Sequence, residues 1–250
     1  MRRLRTAVAF LTVLPVARRG EREETDLAAS VPFFPVVGLL AGAFMWALAS
    51  GLQLIFPAPV SSALVALTLV AISGGLHLDG LSDTADGFLS ARPREEVLRI
   101  MKDSHVGAMG VIAIAGTLAT KITALRSLGE ATFPQAAFLM PLAGRCGLVF
   151  ALAILPAARA DGLGSRFCGK CSTAVLVWAL VVLLGGGWVA ASWAGLAAAA
   201  IVLAATLAFA AWAYRKIGGA TGDTLGATCE IAEMVAVLAL TAKPLARLGG

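Results

Sequence analysis

Apolar runs long enough to cross a bilayer recur along the whole of this 250-residue chain. A transmembrane helix needs about 20 consecutive apolar residues. Charged residues make up only 14% of the chain, although soluble domains carry about a quarter. We therefore predict an all-α, polytopic integral membrane bundle of about seven transmembrane helices that forms one domain over residues 1–250. The predicted spans cover residues 31–56, 60–76, 106–125, 133–155, 173–188 and 193–214, with a last span that ends near Leu240.

The N-terminal segment has a character of its own. Arg2, Arg3 and Arg5 precede a short apolar stretch that reaches Val16. This stretch is too short for a span and lacks the small-residue cleavage pattern of a signal peptide. We predict a retained amphipathic helix at the membrane interface.

Basic residues are distributed unequally between the two sides of this topology. With the N-terminus in the cytoplasm, fifteen Lys and Arg residues fall on the inside and only Arg126, Lys243 and Arg247 on the outside. Cytoplasmic loops of membrane proteins carry such an excess, so the net charge of +5 reflects orientation and not nucleic-acid binding. The inside residues are Arg2, Arg3, Arg5, Arg18, Arg19, Arg22, Arg92, Arg94, Arg99, Lys102, Arg159, Arg166, Lys170, Arg215 and Lys216.

The segment 74–87, GGLHLDGLSDTADG, holds three carboxylates in an otherwise apolar chain. On a helix, Asp79, Asp83 and Asp86 share one face because their spacing is i, i+4 and i+7. Like charges on one face repel unless a cation lies among them. Oxygen ligands grouped in this way suit Mg²⁺, above all when the metal also holds a substrate phosphate. The alternative is a solvated polar loop between two spans.

A second acidic face opens the last span. Asp223, Glu230 and Glu233 again share one helical face, and Gly222 and Gly226 permit close helix approach. Ionisable groups inside a span are costly and mark function. Four lysines and arginines are available as partners, and they are too few and partly too exposed to neutralise six carboxylates, so we predict a bound Mg²⁺. Those basic residues are Lys102, Arg145, Arg215 and Lys216. The predicted metal ligands are Asp79, Asp83, Asp86, Asp223, Glu230 and Glu233.

Carboxylates, a divalent metal and glycines at a membrane surface favour phosphoryl-type transfer. The predicted catalytic residues are Asp83, Asp86 and Glu230, while Asp223 and Glu233 stay open as alternatives for the base. Two rival functions also remain open: a CDP-alcohol-type membrane phosphotransferase, whose Asp-rich motif the stretch loosely resembles, and a divalent-cation transporter. The predicted substrate-binding residues are His77, Lys102, Asp103, Ser104, Arg145 and Gly222.

Four segments resemble the motifs of one family, in the same order and over nearly the whole chain. They are PFFPVVG at 32–38, HLDGLSDTADG at 77–87, IMKDSHVG at 100–107 and GGATGDTLGATCE at 218–230. Together they are similar to the cobalamin synthase (adenosylcobinamide-GDP ribazoletransferase) family. The resemblance implies a Mg²⁺-dependent transferase of cobalamin (vitamin B12) biosynthesis. Such an enzyme joins adenosylcobinamide-GDP to α-ribazole, or to its 5′-phosphate, and releases GMP.

The resemblance also sets expectations about location and partners. It implies a multi-pass protein of the cell inner membrane whose active site faces the cytoplasm. The expected partners are the two small-molecule substrates and the lipid bilayer, without nucleic acid. A homo-oligomer, or contact with other enzymes of the cobalamin pathway, is compatible with this expectation.

Overall fold

A computed structural model of the chain describes residues 1–16, 24–159, 168 and 171–242, apart from the side chains of residues 24–26. The regular elements in these ranges are helices, as the apolar pattern predicts. They are α1 (Arg2–Leu11), α2 (Glu24–Ser30), a 3₁₀ turn (Val31–Phe33), α3 (Phe34–Ile55), α4 (Ala58–Ile72), α5 (Leu76–Phe88), α6 (Arg94–Ile100), α7 (Ala108–Ser127), α8 (Thr132–Ile154), α9 (Thr173–Ile217) and α10 (Gly222–Thr241).

Within the described ranges, five helical segments are long and apolar enough to cross a membrane. They are α3 with the residues just before it, α7, α8, α9 and α10. Helices α4 and α5 reach that length and hydropathy only together, and they are bent by 90° at the break between them, which gives up to six spans. The all-α, multi-pass membrane bundle is therefore confirmed, whereas the predicted count of seven spans is not.

Helix α9 contains two limbs. Ala191 and Ser192 have non-helical backbone angles, with φ of −148° and 48°. A Cβ on Gly187 would lie 2.5 Å from the carbonyl oxygen of Gly195, although eight residues of straight helix span about 12 Å. The chain therefore reverses at Ala191. The predicted spans 173–188 and 193–214 leave a gap that contains this break. Glycines 185–187 remain helical, and Gly187 provides the close contact between the limbs.

Helix α8 is the central helix of the bundle. Of its most apolar stretch, 83% is buried inside the protein, and α3, α9 and α10 all pack against it. Gly42 lets α3 approach closely, because a Cβ there would lie 2.6 Å from the carbonyl oxygen of Phe138. Small residues at helix crossings commonly permit such contact between spans.

Helix α1 is amphipathic, as the sequence predicts. Arg2 and Arg3 are exposed, while Ala7 and Leu11 are fully buried. The ring of Phe10 stacks on Phe34 at a centroid distance of 6.0 Å. The apolar side of α1 therefore packs on the start of α3 and helps to enclose the site described below.

Candidate functional site

Two glycines turn the acidic helix away from the helix before it. Gly74 and Gly75 have φ of 61° and 76°, in the left-handed region that glycine adopts without strain. They separate α4 from α5 and permit the 90° bend between them. All three predicted carboxylates lie on α5, where Asp79 is exposed and Asp83 and Asp86 are half-buried.

Helix α5 crosses the start of α10 at two glycines. A Cβ on Gly80 would lie 2.7 Å from the carbonyl oxygen of Asp223, and a Cβ on Gly226 would lie 3.1 Å from that of His77. A side chain at Gly80 would require the backbone to shift, and one at Gly226 would make a tight contact. The crossing therefore places the backbone of Asp223 directly against the acidic helix.

The carboxylates of the two acidic segments lie close enough at this crossing to interact electrostatically. Asp83 interacts electrostatically with Asp79, Asp86 and Asp223, and Asp79 also interacts with Asp223. The structure thus brings together the acidic stretch of α5 and the first acidic residue of α10. We call Asp79, Asp83 and Asp223 the acidic rim.

The start of α10 is held by a network that fixes Asp223. Thr221 caps the helix: its Oγ1 accepts a hydrogen bond from the backbone N–H of Thr224, while the Thr224 hydroxyl accepts one from the backbone N–H of Thr221. The Thr221 hydroxyl also lies 3.2 Å from Oδ2 of Asp223. Nη2 of Arg159 lies 3.4 Å from the same oxygen. Gly222 lies between the cap and the carboxylate and lines the cavity described below.

A second contact positions the segment that leads into α10. Backbone hydrogen bonds pair residues 156–158 with Ala220. The guanidinium of Arg94 donates to the carbonyl oxygens of Ile217 and Ala158, at 2.8 and 2.7 Å. Arg94 of α6 therefore holds residues 156–158 and the segment just before α10 in place.

Asp86 performs a structural task in this arrangement. Its two carboxylate oxygens accept hydrogen bonds from the backbone N–H groups of Gly107 and Gly110, at 2.7 and 2.9 Å. Gly107 is the residue just before α7 and Gly110 lies in its first turn, where carboxylate caps are favourable. Asp86 was predicted from its spacing to be a catalytic residue and a metal ligand, but here it anchors α7 to α5.

Glu230 and Glu233 are neutralised by cations of the protein itself. Nζ of Lys121 lies 2.7 Å from a carboxylate oxygen of each glutamate. Arg145 pairs with the other oxygen of Glu233. All four side chains are at most 3% exposed. Glu230 and Glu233, predicted from the sequence to need Mg²⁺ for neutralisation, are therefore neutralised by Lys121 and Arg145 instead.

A signal for Lys121 was available in the sequence. The residue lies inside the predicted span 106–125, and an ionisable residue within a span marks a functional or paired position. Arg145, predicted to bind substrate, is fully buried and paired with Glu233. In this structure it belongs to the buried ion-pair network of Lys121, Arg145, Glu230 and Glu233.

A cavity of about 100 Å³ lies beside the acidic rim. His77, Asp79 and Asp223 contribute its polar side chains. Pockets that enclose a whole ligand have about 300–1,000 Å³, so this cavity admits only part of a substrate. Its apolar walls are formed by Phe10, Phe34, Leu76, Leu148, Leu152 and Leu225.

Three further predicted substrate-binding residues lie elsewhere. Lys102, Asp103 and Ser104 are exposed in the turn between α6 and α7 and do not line the cavity. The ring and backbone nitrogens of His105 lie 2.6 and 3.0 Å from Oδ1 of Asp103. These hydrogen bonds lower the pKa of the Asp103 carboxyl below its ordinary value.

The acidic rim suits a magnesium ion that keeps several non-protein ligands. In the described part of the chain, no three His, Cys, Asp or Glu side chains are arranged as a complete metal site. Mg²⁺, however, is usually bound by one or two carboxylates together with water and substrate phosphate. No basic side chain of the described ranges pairs with Asp79 or Asp83, so the donor set fits such an ion.

Comparisons with known proteins agree over nearly the whole chain. The family model of cobalamin-5-phosphate synthase matches residues 3–241. Adenosylcobinamide-GDP ribazoletransferase of Roseiflexus sp. (strain RS-1) is 37% identical over 242 residues, which cover 97% of this chain and 90% of that protein. The protein of the same name from Pseudomonas putida (strain GB-1) is 38% identical over 244 residues, with 94% and 96% covered. No solved structure matches the chain.

The match includes both acidic segments and the buried ion-pair network, since all of these residues lie between residues 3 and 241. The similarity to the two ribazoletransferases extends over comparable lengths of each protein. The chain therefore belongs to the cobalamin-5-phosphate synthase family.

Proposed function

We propose that this chain is a Mg²⁺-dependent transferase that joins adenosylcobinamide-GDP to α-ribazole, or to α-ribazole 5′-phosphate, with release of GMP. The observation that carries the proposal is the meeting of Asp79, Asp83 and Asp223 where α5 crosses α10. The names of the similar proteins supply the substrates. Family and geometry thus support the same reaction class.

The reaction replaces the phosphoanhydride bond of the diphosphate with a phosphate ester. A hydroxyl oxygen of α-ribazole bonds to the phosphorus on the cobinamide side of the diphosphate. The bond from that phosphorus to the bridging oxygen breaks, and the electron pair leaves with GMP. Asp79 and Asp83 would hold Mg²⁺ at the rim, where the ion supplies positive charge against the diphosphate and the leaving phosphate.

Asp223 is the proton acceptor in this proposal. Its Oδ2 lies near the Thr221 hydroxyl and Arg159, while no described group bonds to Oδ1. Glu230 and Glu233, the other predicted bases, are ion-paired and inaccessible. Oδ1 of Asp223 therefore takes the proton of the attacking hydroxyl, and Thr221 and Arg159 hold the carboxylate in place.

The size of the cavity decides how the substrates bind. A space of about 100 Å³ cannot contain a nucleoside diphosphate or a corrinoid. The bulk of adenosylcobinamide-GDP therefore remains outside the bundle, and only a small reacting fragment enters between α5 and α10.

The location follows from charge. We place the protein in the cell inner membrane, with the acidic rim facing the cytoplasm, because the loops on the side of the rim carry most of the Lys and Arg residues. Arg94 and Arg159 lie on this side and contact the segment before α10. The phosphorylated substrates are then reached from the cytoplasm.

The rival functions fit the geometry less well. A cation transporter requires carboxylates that can exchange ions along a path through the membrane. The deepest carboxylates, Glu230 and Glu233, are instead paired with Lys121 and Arg145. A CDP-alcohol-type enzyme would share the carboxylate chemistry but would release CMP from a CDP-linked donor.

The proposal is tested with purified protein in detergent or proteoliposomes. We expect GMP release from adenosylcobinamide-GDP only when α-ribazole and Mg²⁺ are both present, and loss of the reaction after chelation of Mg²⁺ with EDTA. A parallel reaction with a CDP-linked lipid donor serves as the comparison. CMP release from that donor, without GMP release from adenosylcobinamide-GDP, would overturn the proposal.

A further inference from the structure

His77 has a buried polar atom that lacks a partner. The residue is 3% exposed and lines the cavity beside the acidic rim. Its Nε2 atom is buried and has no hydrogen-bond partner among the residues that the structure describes. Buried polar atoms in proteins are nearly always paired. An unpartnered nitrogen in a residue that lines a cavity therefore indicates a hydrogen-bonding ligand.

The walls of the cavity limit the chemistry of that ligand. Phe10, Phe34 and leucines of α8 and α10 make most of the lining apolar. Asp79 and Asp223 add negative charge at one side, which repels any phosphate group that Mg²⁺ at the rim does not neutralise. The cavity therefore suits a small, uncharged fragment that carries a hydroxyl group, and it excludes a diphosphate.

The two substrates of the proposed reaction differ in the charge of the group that reacts. The donor presents an anionic diphosphate, whereas the acceptor presents an uncharged ribose with hydroxyl groups. We infer that the cavity is the acceptor subsite and that Nε2 of His77 forms a hydrogen bond with a ribose hydroxyl of α-ribazole. This inference rests on the proposed function.

The inference fixes the arrangement of the reactants. The ribose lies between His77 and Asp223, so that its attacking hydroxyl faces the proton-accepting Oδ1. The diphosphate stays at the open edge of the cavity, where Asp79 is exposed and, with Asp83, would hold Mg²⁺. When α-ribazole 5′-phosphate is the acceptor, its phosphate group also remains outside the cavity. That phosphate makes no contact with His77.

The test measures KM for each substrate separately in variants of the cavity. His77→Leu removes the hydrogen bond but keeps the space filled. We expect KM for α-ribazole to rise by about 5–150-fold, as for a buried polar group that loses its partner, while KM for adenosylcobinamide-GDP is unchanged. His77→Gln, which retains a hydrogen-bonding group, recovers most of the affinity. His105→Gln, a change in the other histidine of the chain, is the matched control and keeps both KM values.

A second variant guards against loss of folding. Leu148→Phe narrows the cavity from α8 and leaves His77 intact, and we expect it also to raise KM for α-ribazole alone. An unchanged acceptor KM in both variants, or an equal rise in the donor KM, would overturn the inference. Wild-type turnover is measured in the same assay. If the wild type releases no GMP, the proposed function fails. If the wild type is active and His77→Leu leaves the KM for α-ribazole unchanged, only the acceptor subsite is rejected.

Discussion

Nζ of Lys121 lies 2.7 Å from Oε2 of Glu230, and the two side chains are 1% and 3% exposed. The pair joins α7 to α10, although the two residues are 109 positions apart along the chain. A buried ion pair adds little stability compared with an apolar contact, but the loss of one partner leaves an uncompensated charge. The network therefore fixes the relative position of these two helices.

Replacement of Lys121 should destabilise the protein strongly. We expect Lys121→Met to lower the free energy of unfolding by about 3–5 kcal/mol, because Glu230 is left buried without its cation. Unfolding in detergent, followed by circular dichroism, measures this change. The double variant Lys121→Met/Glu230→Gln should regain part of the loss. Arg126→Met, at the exposed end of α7, is the control, and equal stability of Lys121→Met and Arg126→Met would contradict the prediction.

Asp83→Asn should weaken Mg²⁺ binding without unfolding the protein. Asp83 is half-buried among carboxylates, so its loss relieves repulsion in the free enzyme but removes a metal ligand. We expect the Mg²⁺ concentration for half-maximal activity to rise by about 10–100-fold, the range seen for changes around bound metals. Titration of activity with Mg²⁺ measures this. Glu130→Gln, in the exposed loop between α7 and α8, should behave as the wild type; an unchanged Mg²⁺ requirement in Asp83→Asn would refute the assignment.

Asp86→Ala should lower the stability of the protein without changing its Mg²⁺ requirement. The carboxylate caps the first turn of α7 through Gly107 and Gly110. We expect a loss of about 0.5–2 kcal/mol in stability, as for other helix caps, and an unchanged Mg²⁺ concentration for half-maximal activity. Thermal unfolding and Mg²⁺ titration on the same preparation separate the two effects. A large shift in the Mg²⁺ requirement would show that Asp86 is a metal ligand after all.

Gly80→Ala should reduce activity by moving the acidic rim apart. The added Cβ would lie 2.7 Å from the carbonyl oxygen of Asp223, so α5 and α10 must separate. Overpacking of this kind costs about 1–3 kcal/mol. Gly116→Ala is the matched control, because a Cβ there meets nothing within 4 Å. Turnover and unfolding are compared in both variants, and equal activity would argue against the close crossing.

The sequence predicted the elements of this site better than their contacts. Apolar runs predicted the helical membrane bundle. The i, i+4, i+7 spacing predicted one shared face for Asp79, Asp83 and Asp86 if the stretch is helical, and the structure shows a helix there. The glycines at 222 and 226 suggested a close helix crossing, and Gly226 indeed faces α5. These features are local, so periodicity and residue type are sufficient to reveal them.

The partners of each charge were not predictable in the same way. The ion pair between Lys121 and Glu230, and the bonds from Asp86 to Gly107 and Gly110, depend on which helices become neighbours. Spacing along one helix carries no information about the facing helix. Asp86 therefore resembled a metal ligand in the sequence, although its position against α7 makes it a cap.

The order of the charges along the chain has a consequence for biogenesis. Lys121 and Arg145 are synthesised well before Glu230 and Glu233, which neutralise them. An unpaired cation at the centre of a bilayer is costly. Helices α7 and α8 therefore each carry an uncompensated positive charge until α10 is inserted. A chain that stops before α10 lacks the carboxylates that neutralise these charges. Insertion of α10 is thus the step that both completes the acidic rim and neutralises the buried cations Lys121 and Arg145.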